Sequence, residues 1–202
     1  MNLPNRLTLI RIILVPVFML FSITLPESVG ALFPGDWLIN LIRAINAFIE
    51  ESGIYVAGVV FVVAFATDAL DGFIARKYNL VTNFGAFLDP IADKLLVTAA
   101  LIVLTARGTI GAWIPVIIIS REFLITGLRL LAANKGIVMS AGGFGKVKTI
   151  SQSIALTMLL FQNFNVGILN AVNAGLLLLY LAVALTILSG ADYIIKNYEL
   201  LK

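Results

Sequence analysis

Six apolar stretches, near residues 7–25, 53–75, 88–106, 110–131, 149–166 and 168–190, constrain this chain more than any other feature. A hydrocarbon core about 30 Å thick needs roughly 20 apolar residues in an α-helix, and each stretch is of that order. The runs are continuous rather than alternating. That selects helices over a barrel, because every backbone N–H and C=O in lipid must be satisfied within its own segment. Composition agrees: the chain is 60% hydrophobic and 12% charged, whereas a soluble domain carries about 25% charged residues. The expected fold class is therefore all-α, an integral membrane bundle of six transmembrane helices. Residues 37–50 (WLINLIRAINAFIE) are shorter and set apolar side chains at helical spacing around Arg43. They read as a short interfacial helix, not a seventh span. No internal repeat, low-complexity tract or linker divides the chain, so residues 1–202 read as a single domain.

Residues 1–25 have the outline of a signal peptide, with Arg6 and Arg11 before an apolar run, but no small-x-small pattern precedes Pro26. A retained membrane anchor fits better. The basic residues set the orientation. With six spans, Arg6, Arg11, Arg76, Lys77, Lys94, Arg129, Lys135, Lys146, Lys148, Lys196 and Lys202 gather at or near one side. Arg43 and Arg107 fall on the other, and Arg121 lies inside the fourth run. Both termini are expected in the cytoplasm, in a multi-pass protein of the cell inner (cytoplasmic) membrane.

Against this apolar background, DALDGFIARKYNLVTNFGAFLDPIAD concentrates Asp68, Asp71, Asp89 and Asp93, four of the 11 acidic residues. Carboxylates in or near a bilayer are costly and usually face a bundle interior with a task. Asp68 and Asp71 stand three apart and Asp89 and Asp93 four apart, so each pair shares one helical face. A short connection makes the two helices antiparallel neighbours and can bring the pairs together. Four like charges repel unless cations intervene, so the pattern predicts a metal site. The chain has neither Cys nor His, and an oxygen-only donor set suits Mg²⁺, Mn²⁺ or Ca²⁺. Two such cations can clamp the attacking and leaving oxygens of a phosphoryl transfer. Gly72 and Gly85 remove side chains where a ligand approaches, Ala75 is small and lies on the face of Gly72 and Asp71, and Arg76 offers a planar fork to phosphate. Pro90 either starts a helix capped by Asp89 or kinks a longer one. The plainer reading makes these aspartates helix caps or partners of Arg76, Lys77 and Lys94, and it leaves their joint spacing with the glycines unexplained.

Asp-x-x-Asp-Gly-x-x-Ala-Arg, then eight residues, Gly, three residues, Asp, three residues and Asp resembles the signature of the CDP-alcohol phosphotransferases. Asp68, Asp71, Gly72, Ala75, Arg76, Gly85, Asp89 and Asp93 fill all its fixed positions. The resemblance implies a membrane enzyme of six transmembrane helices, a homodimer, that requires Mg²⁺ or Mn²⁺, with two divalent cations per site. An alcohol attacks the β-phosphorus of a CDP-linked donor and CMP leaves. By position, Asp68, Asp71 and Asp89 are implied as metal ligands. Asp93 is implied as the general base, also close to the metals, and Gly72, Ala75, Arg76 and Gly85 as neighbours of the CDP moiety. A base within reach of the acceptor hydroxyl is also what the chemistry needs in a chain without His.

A second group bears on the acceptor. Arg121, with Glu122 beside it, sits within the fourth apolar run, and Arg129 lies near the same face. Lys135, Lys146 and Lys148 follow in the next cytoplasmic segment, with Gly142, Gly143 and Gly145. Basic groups near a metal site suit an acceptor that carries its own phosphate. The alternatives are lysines that set topology at an anionic leaflet and Arg121–Glu122 as a structural pair. The opening MNLPNRLTLIRIILVPVF and the REFLITGLR and GKVKT segments resemble one branch of the same family. That likeness implies CDP-diacylglycerol as donor and sn-glycerol 3-phosphate as acceptor, and places Asn5, Thr8 and Arg11 near the nucleotide and metals. Asn5 can equally be a helix N-cap. The partners implied are these two substrates, membrane lipids and a second copy of the chain, with no nucleic acid. Another acceptor (inositol phosphate, serine or phosphatidylglycerol) is the nearest alternative. A cation transporter is the rival of another class, but few polar residues continue outward from Asp68 along VAGVVFVVAFAT. Residues 26–52 carry no motif.

Overall fold

The computed structural model describes residues 3–32, 35–78, 83–135, 143–162, 165–166 and 169–196. The described chain is all-helical apart from one two-residue ladder, and its helices fall in two compact units, Met1–Val103 and Leu104–Lys202. In chain order they are α1 (Leu3–Leu20), a 3₁₀ turn (Glu27–Leu32), α2 (Trp37–Phe48), α3 (Ile54–Tyr78), α4 (Asn83–Ala106), α5 (Trp113–Asn134), α6 (Gly143–Leu160) and α7 (Ala171–Lys196).

One difference from the sequence reading lies between α2 and α3. No loop separates them: a π-helical turn, Ile49–Gly53, carries one into the other, so the chain is helical from Trp37 to Tyr78. Gly53 is the only breaker there, and a lone glycine weakens a helix by about 1 kcal/mol without ending it. At 1.5 Å per residue the run is ~63 Å long, about twice the apolar thickness of a bilayer. Its two parts differ in character. α2 is strongly amphipathic and exposes Trp37, Leu41, Ile45 and Phe48 along one stripe, while α3 is almost wholly apolar over residues 54–66 and gathers its charged residues toward its C-terminal end.

In the first unit α1 packs on α3, with the Phe18 and Phe61 rings tilted at 6.3 Å between centroids. A Cβ at Gly53 would collide with the Phe21 carbonyl oxygen, so the end of α1 closes directly onto the π turn. Asn46 holds the same corner, accepting from Leu25 N and donating to Leu25 O, both at 2.8 Å. Arg43 donates to Glu27 at 3.0 Å in an exposed ion pair. In α4, Ala92, Leu96, Ala99, Ala100 and Val103 form the buried stripe.

In the second unit α7 packs against α6 and α5. Its buried stripe includes Gly175, Ala182 and Ser189 at seven-residue intervals. Small residues so placed let helices approach closely, which is how helices associate in lipid. Leu177, Leu181, Leu188 and Ile195 point outward and are more than half exposed, an apolar surface too large for water. Among the described residues, two helical runs, Trp37–Thr67 and Ala171–Lys196, are long and apolar enough to cross a membrane. α6 begins at Gly143, earlier than residue 149, so Gly143, Gly145, Lys146 and Lys148 lie on a helix and not in a loop. It also ends earlier, at Leu160, and Asn165–Val166 then pairs antiparallel with Leu169–Asn170. The asparagines of this segment favour turns over a continued helix.

Candidate active site

The acidic motif occupies the end of one helix and the start of the next. Asp68, Asp71, Gly72, Ala75 and Arg76 lie in the last part of α3, and Gly85, Asp89 and Asp93 in the first part of α4. Each aspartate pair thus has the helical backbone that puts it on one face. Asp71 is ~10 Å from the end of α3 and Asp89 ~9 Å from the start of α4, so the pairs stand at similar depths from the 79–82 connection. That connection, and the side chains of residues 68–78 and of Asp89, lie outside the described ones. Gly85 is buried and Asp93 partly buried. Among the described side chains no group of three His, Cys, Asp or Glu comes together. Because α4 starts at Asn83, Pro90 lies beyond its first turn, which removes the reading in which Asp89–Pro90 begins the helix.

Three of the four polar residues of α1 share one side, and the fourth, Arg6, is exposed. Asn5, Thr8 and Arg11 follow one another at intervals of three, and all three are buried. Asn5 lies inside the helix, since α1 begins at Leu3, so it is not an N-cap. Arg11 is among the largest fully buried side chains. A buried guanidinium is costly without compensating polar neighbours, which marks this side of α1 as functional or tightly matched.

The basic residues divide. Glu122 Oε1 accepts from Arg121 Nη1 at 3.0 Å and from Lys148 Nζ at 2.5 Å, joining α5 to α6. Lys148 keeps only 3% of its side chain exposed. Ser189 of α7 accepts from Arg121 Nη2 at 3.0 Å. Arg129, further along α5, donates to the Tyr193 hydroxyl at 3.2 Å and lies 5.7 Å from that ring's centroid. Lys135 is exposed at the C-terminal end of α5. Arg121 and Lys135 are ~21 Å apart along the helix, too far to hold one phosphate together. The Lys146 side chain lies outside the described ones. The structure therefore brings Arg121 and Lys148 together and leaves Arg129 and Lys135 apart from them. Residues of α7 that sequence reasoning passed over, Ser189, Gly190 and Tyr193, contact these arginines. Their one signal was a small, polar break, SGADY, in an otherwise apolar helix.

The described helices thus carry a carboxylate pattern on two consecutive helices and buried cations on others. The family profile for CDP-alcohol phosphatidyltransferase matches residues 1–188. The chain is 45% identical over 201 residues to the CDP-diacylglycerol–glycerol-3-phosphate 3-phosphatidyltransferase of Bacillus subtilis, covering 100% of this chain and 97% of that one. It is 36% identical to proteins of the same name from Rickettsia felis (95% of this chain, 93% of that one) and Haemophilus influenzae (96% and 91%). The chain belongs to the CDP-alcohol phosphatidyltransferase family and is a transferase.

Proposed function

We propose that this protein transfers the phosphatidyl group of CDP-diacylglycerol to sn-glycerol 3-phosphate, giving phosphatidylglycerophosphate and CMP. The observation that carries the reading is the 45% identity, end to end, with a relative named for that reaction. The complete Asp68–Asp93 pattern supports it.

The donor set fits a hard divalent cation: four aspartates, two on each of two consecutive helices, in a chain without His or Cys. Asp68, Asp71, Asp89 and Asp93 would hold Mg²⁺ or Mn²⁺, two ions being the natural number for four carboxylates. When bound, such ions offset the diphosphate charge and stabilise the developing charge on the leaving CMP. Asp93 accepts the proton of the acceptor hydroxyl as the new O–P bond forms at the β-phosphorus. The bond to CMP breaks, and CMP departs with that electron pair. Gly72, Ala75, Arg76 and Gly85, with Asn5 and Thr8, border the nucleotide. The absent side chains at the glycines leave room for it, and Arg76 meets its phosphates as a planar donor.

Arg121 and Lys148 bind the acceptor's own phosphate. Their meeting at Glu122 supports the assignment, since three ions of which two are positive leave one net positive charge for an anion. Arg129, Lys135 and Lys146 add positive potential that attracts anionic substrate. We read both units as one catalytic domain, because the family match runs across their boundary. The six long helices are read as spans, α2 as an interfacial segment, and the active site as facing the cytoplasm of a homodimer in the inner membrane. The exposed apolar surfaces of α2 and α7 and the distribution of basic residues support that placement.

Purified protein supplied with CDP-diacylglycerol and Mg²⁺ or Mn²⁺ tests the reading, with single alcohols offered while CMP release is followed. Release with glycerol 3-phosphate alone is expected. Release with inositol phosphate, serine or phosphatidylglycerol instead would transfer the chain to another acceptor. No release with any of them, together with cation flux in liposomes, would replace the enzyme by a transporter.

A further inference from the structure

The Arg121 guanidinium is fixed from two helices at once. Nη1 donates to Glu122 on its own helix, and Nη2 donates to Ser189 Oγ on α7, each at 3.0 Å. Two arms held by groups on different helices set the plane of the fork, and a planar fork meets a phosphate well in few orientations.

Ser189 is itself oriented. Its hydroxyl donates to the Thr186 carbonyl oxygen at 3.2 Å, one turn back along α7, which leaves its lone pairs for Arg121. Gly190, the next residue, receives the arginine stem. A Cβ there would stand 3.2 Å from Arg121 Cγ and 3.9 Å from Nε, so the aliphatic chain runs across bare backbone. Among the described residues Arg121 Nε is buried with no hydrogen-bond partner. The side chain therefore accepts an uncompensated donor in order to lie where Ser189 and Gly190 put it, and such a donor is costly.

We propose that the Ser189–Gly190 step of α7 positions Arg121 for the acceptor's phosphate, and so sets the selectivity of the enzyme for phosphorylated over plain alcohols. The inference rests on Arg121 being an acceptor-phosphate group, as assigned above. Ser189 and Gly190 touch neither substrate; they act through Arg121.

The test uses the full-length purified chain and the variants Ser189→Ala, Ser189→Thr, Gly190→Ala and Arg121→Lys. KM for glycerol 3-phosphate, KM for CDP-diacylglycerol, kcat and the thermal midpoint are measured for each. Ser189→Ala and Gly190→Ala should raise the acceptor KM about tenfold, the scale of one hydrogen bond to a charged group. The donor KM and kcat should stay within about twofold, the signature of lost ground-state binding of one substrate. Ser189→Thr keeps the hydroxyl and should restore the acceptor KM. Gly190→Ala carries a second signature, because alanine favours a helix over glycine: the midpoint should hold or rise while acceptor binding weakens. A merely structural role would move the two together.

If Ser189→Ala and Gly190→Ala leave the acceptor KM unchanged while Arg121→Lys raises it, the positioning role is wrong and the assignment of Arg121 stands. If Arg121→Lys also leaves it unchanged, the assignment falls and takes the inference with it. A parallel rise in both substrates' KM with a lower midpoint, unrescued by threonine, would reduce the step to helix packing and overturn the proposal.

Discussion

The two charged regions of this protein solve opposite problems. The segment from Asp68 to Asp93 gathers like charges on consecutive helices, α3 and α4, with Arg76 among them. The cluster on α5, α6 and α7 gathers unlike charges from distant parts of the chain: Glu122 meets Lys148, 26 residues on, and Arg121 meets Ser189, 68 residues on. Four carboxylates cannot compensate one another, and in the function proposed above divalent cations meet their charge. Arg121, Glu122 and Lys148 compensate one another in part, with one positive charge in excess, and the folded protein can hold them together without ligand. In the proposed function the first arrangement should cost stability and serve chemistry. The second should support the fold while it selects a substrate.

That contrast predicts mutations of opposite kind, and the largest effect belongs to the acidic segment. Asp93→Asn should lower CMP release by about 10²–10⁴-fold, the range for loss of a general base. CDP-diacylglycerol binding should be retained, and the thermal midpoint should hold or rise, because removing one of four like charges relieves repulsion. Near-normal turnover would remove Asp93 as the base. A large drop in the midpoint would show that the carboxylates serve the fold and would break the contrast.

The next effect is the reverse. Glu122→Gln leaves Arg121 and the deeply buried Lys148 without their shared counter-charge. Breaking one partner out of a buried ionic group costs about 3 kcal/mol, measurable as a lower midpoint in detergent. The double variant Glu122→Gln with Lys148→Met should recover much of that stability, since it removes a buried cation together with its counter-charge. It should not recover acceptor binding. Stability and acceptor KM that return together in the double variant would mean that Lys148 binds no phosphate.

The same contrast explains what was legible in the sequence. Spacings of three and four within a helix are local, so Asp68 with Asp71 and Asp89 with Asp93 could be paired before any fold was known. The six long apolar runs were legible for the same reason. The meeting of Arg121 with Ser189 and Gly190 depends on how α5 lies on α7, and no local period encodes it. Lys148 fell in the segment before the helix because the apolar run begins only near residue 149, yet the helix starts at Gly143. The junction of α2 with α3 was missed for a related reason. Residues 37–50 and 53–75 read as separate elements, whereas a π turn joins them and the missing side chain of Gly53 serves the close approach to Phe21.

A third charged pair calibrates the other two and gives the smallest effect. Arg43 and Glu27 lie 3.0 Å apart, as close as Arg121 and Glu122, but their side chains are 60% and 54% exposed. An exposed pair gains little because solvent screens it and two long side chains must be ordered to make it. Asn46 already ties the same corner together through both polar groups of Leu25. Arg43→Ala should therefore leave the thermal midpoint and both substrates' KM unchanged within error. If Arg43→Ala destabilised the protein as much as Glu122→Gln, distance alone and not burial would govern these pairs. The distinction between a self-compensating buried cluster and an ordinary surface contact would then fail. An unchanged Arg43 variant beside a destabilised Glu122 variant locates the difference in desolvation, the property on which the proposed binding of an anion by Arg121 and Lys148 also depends.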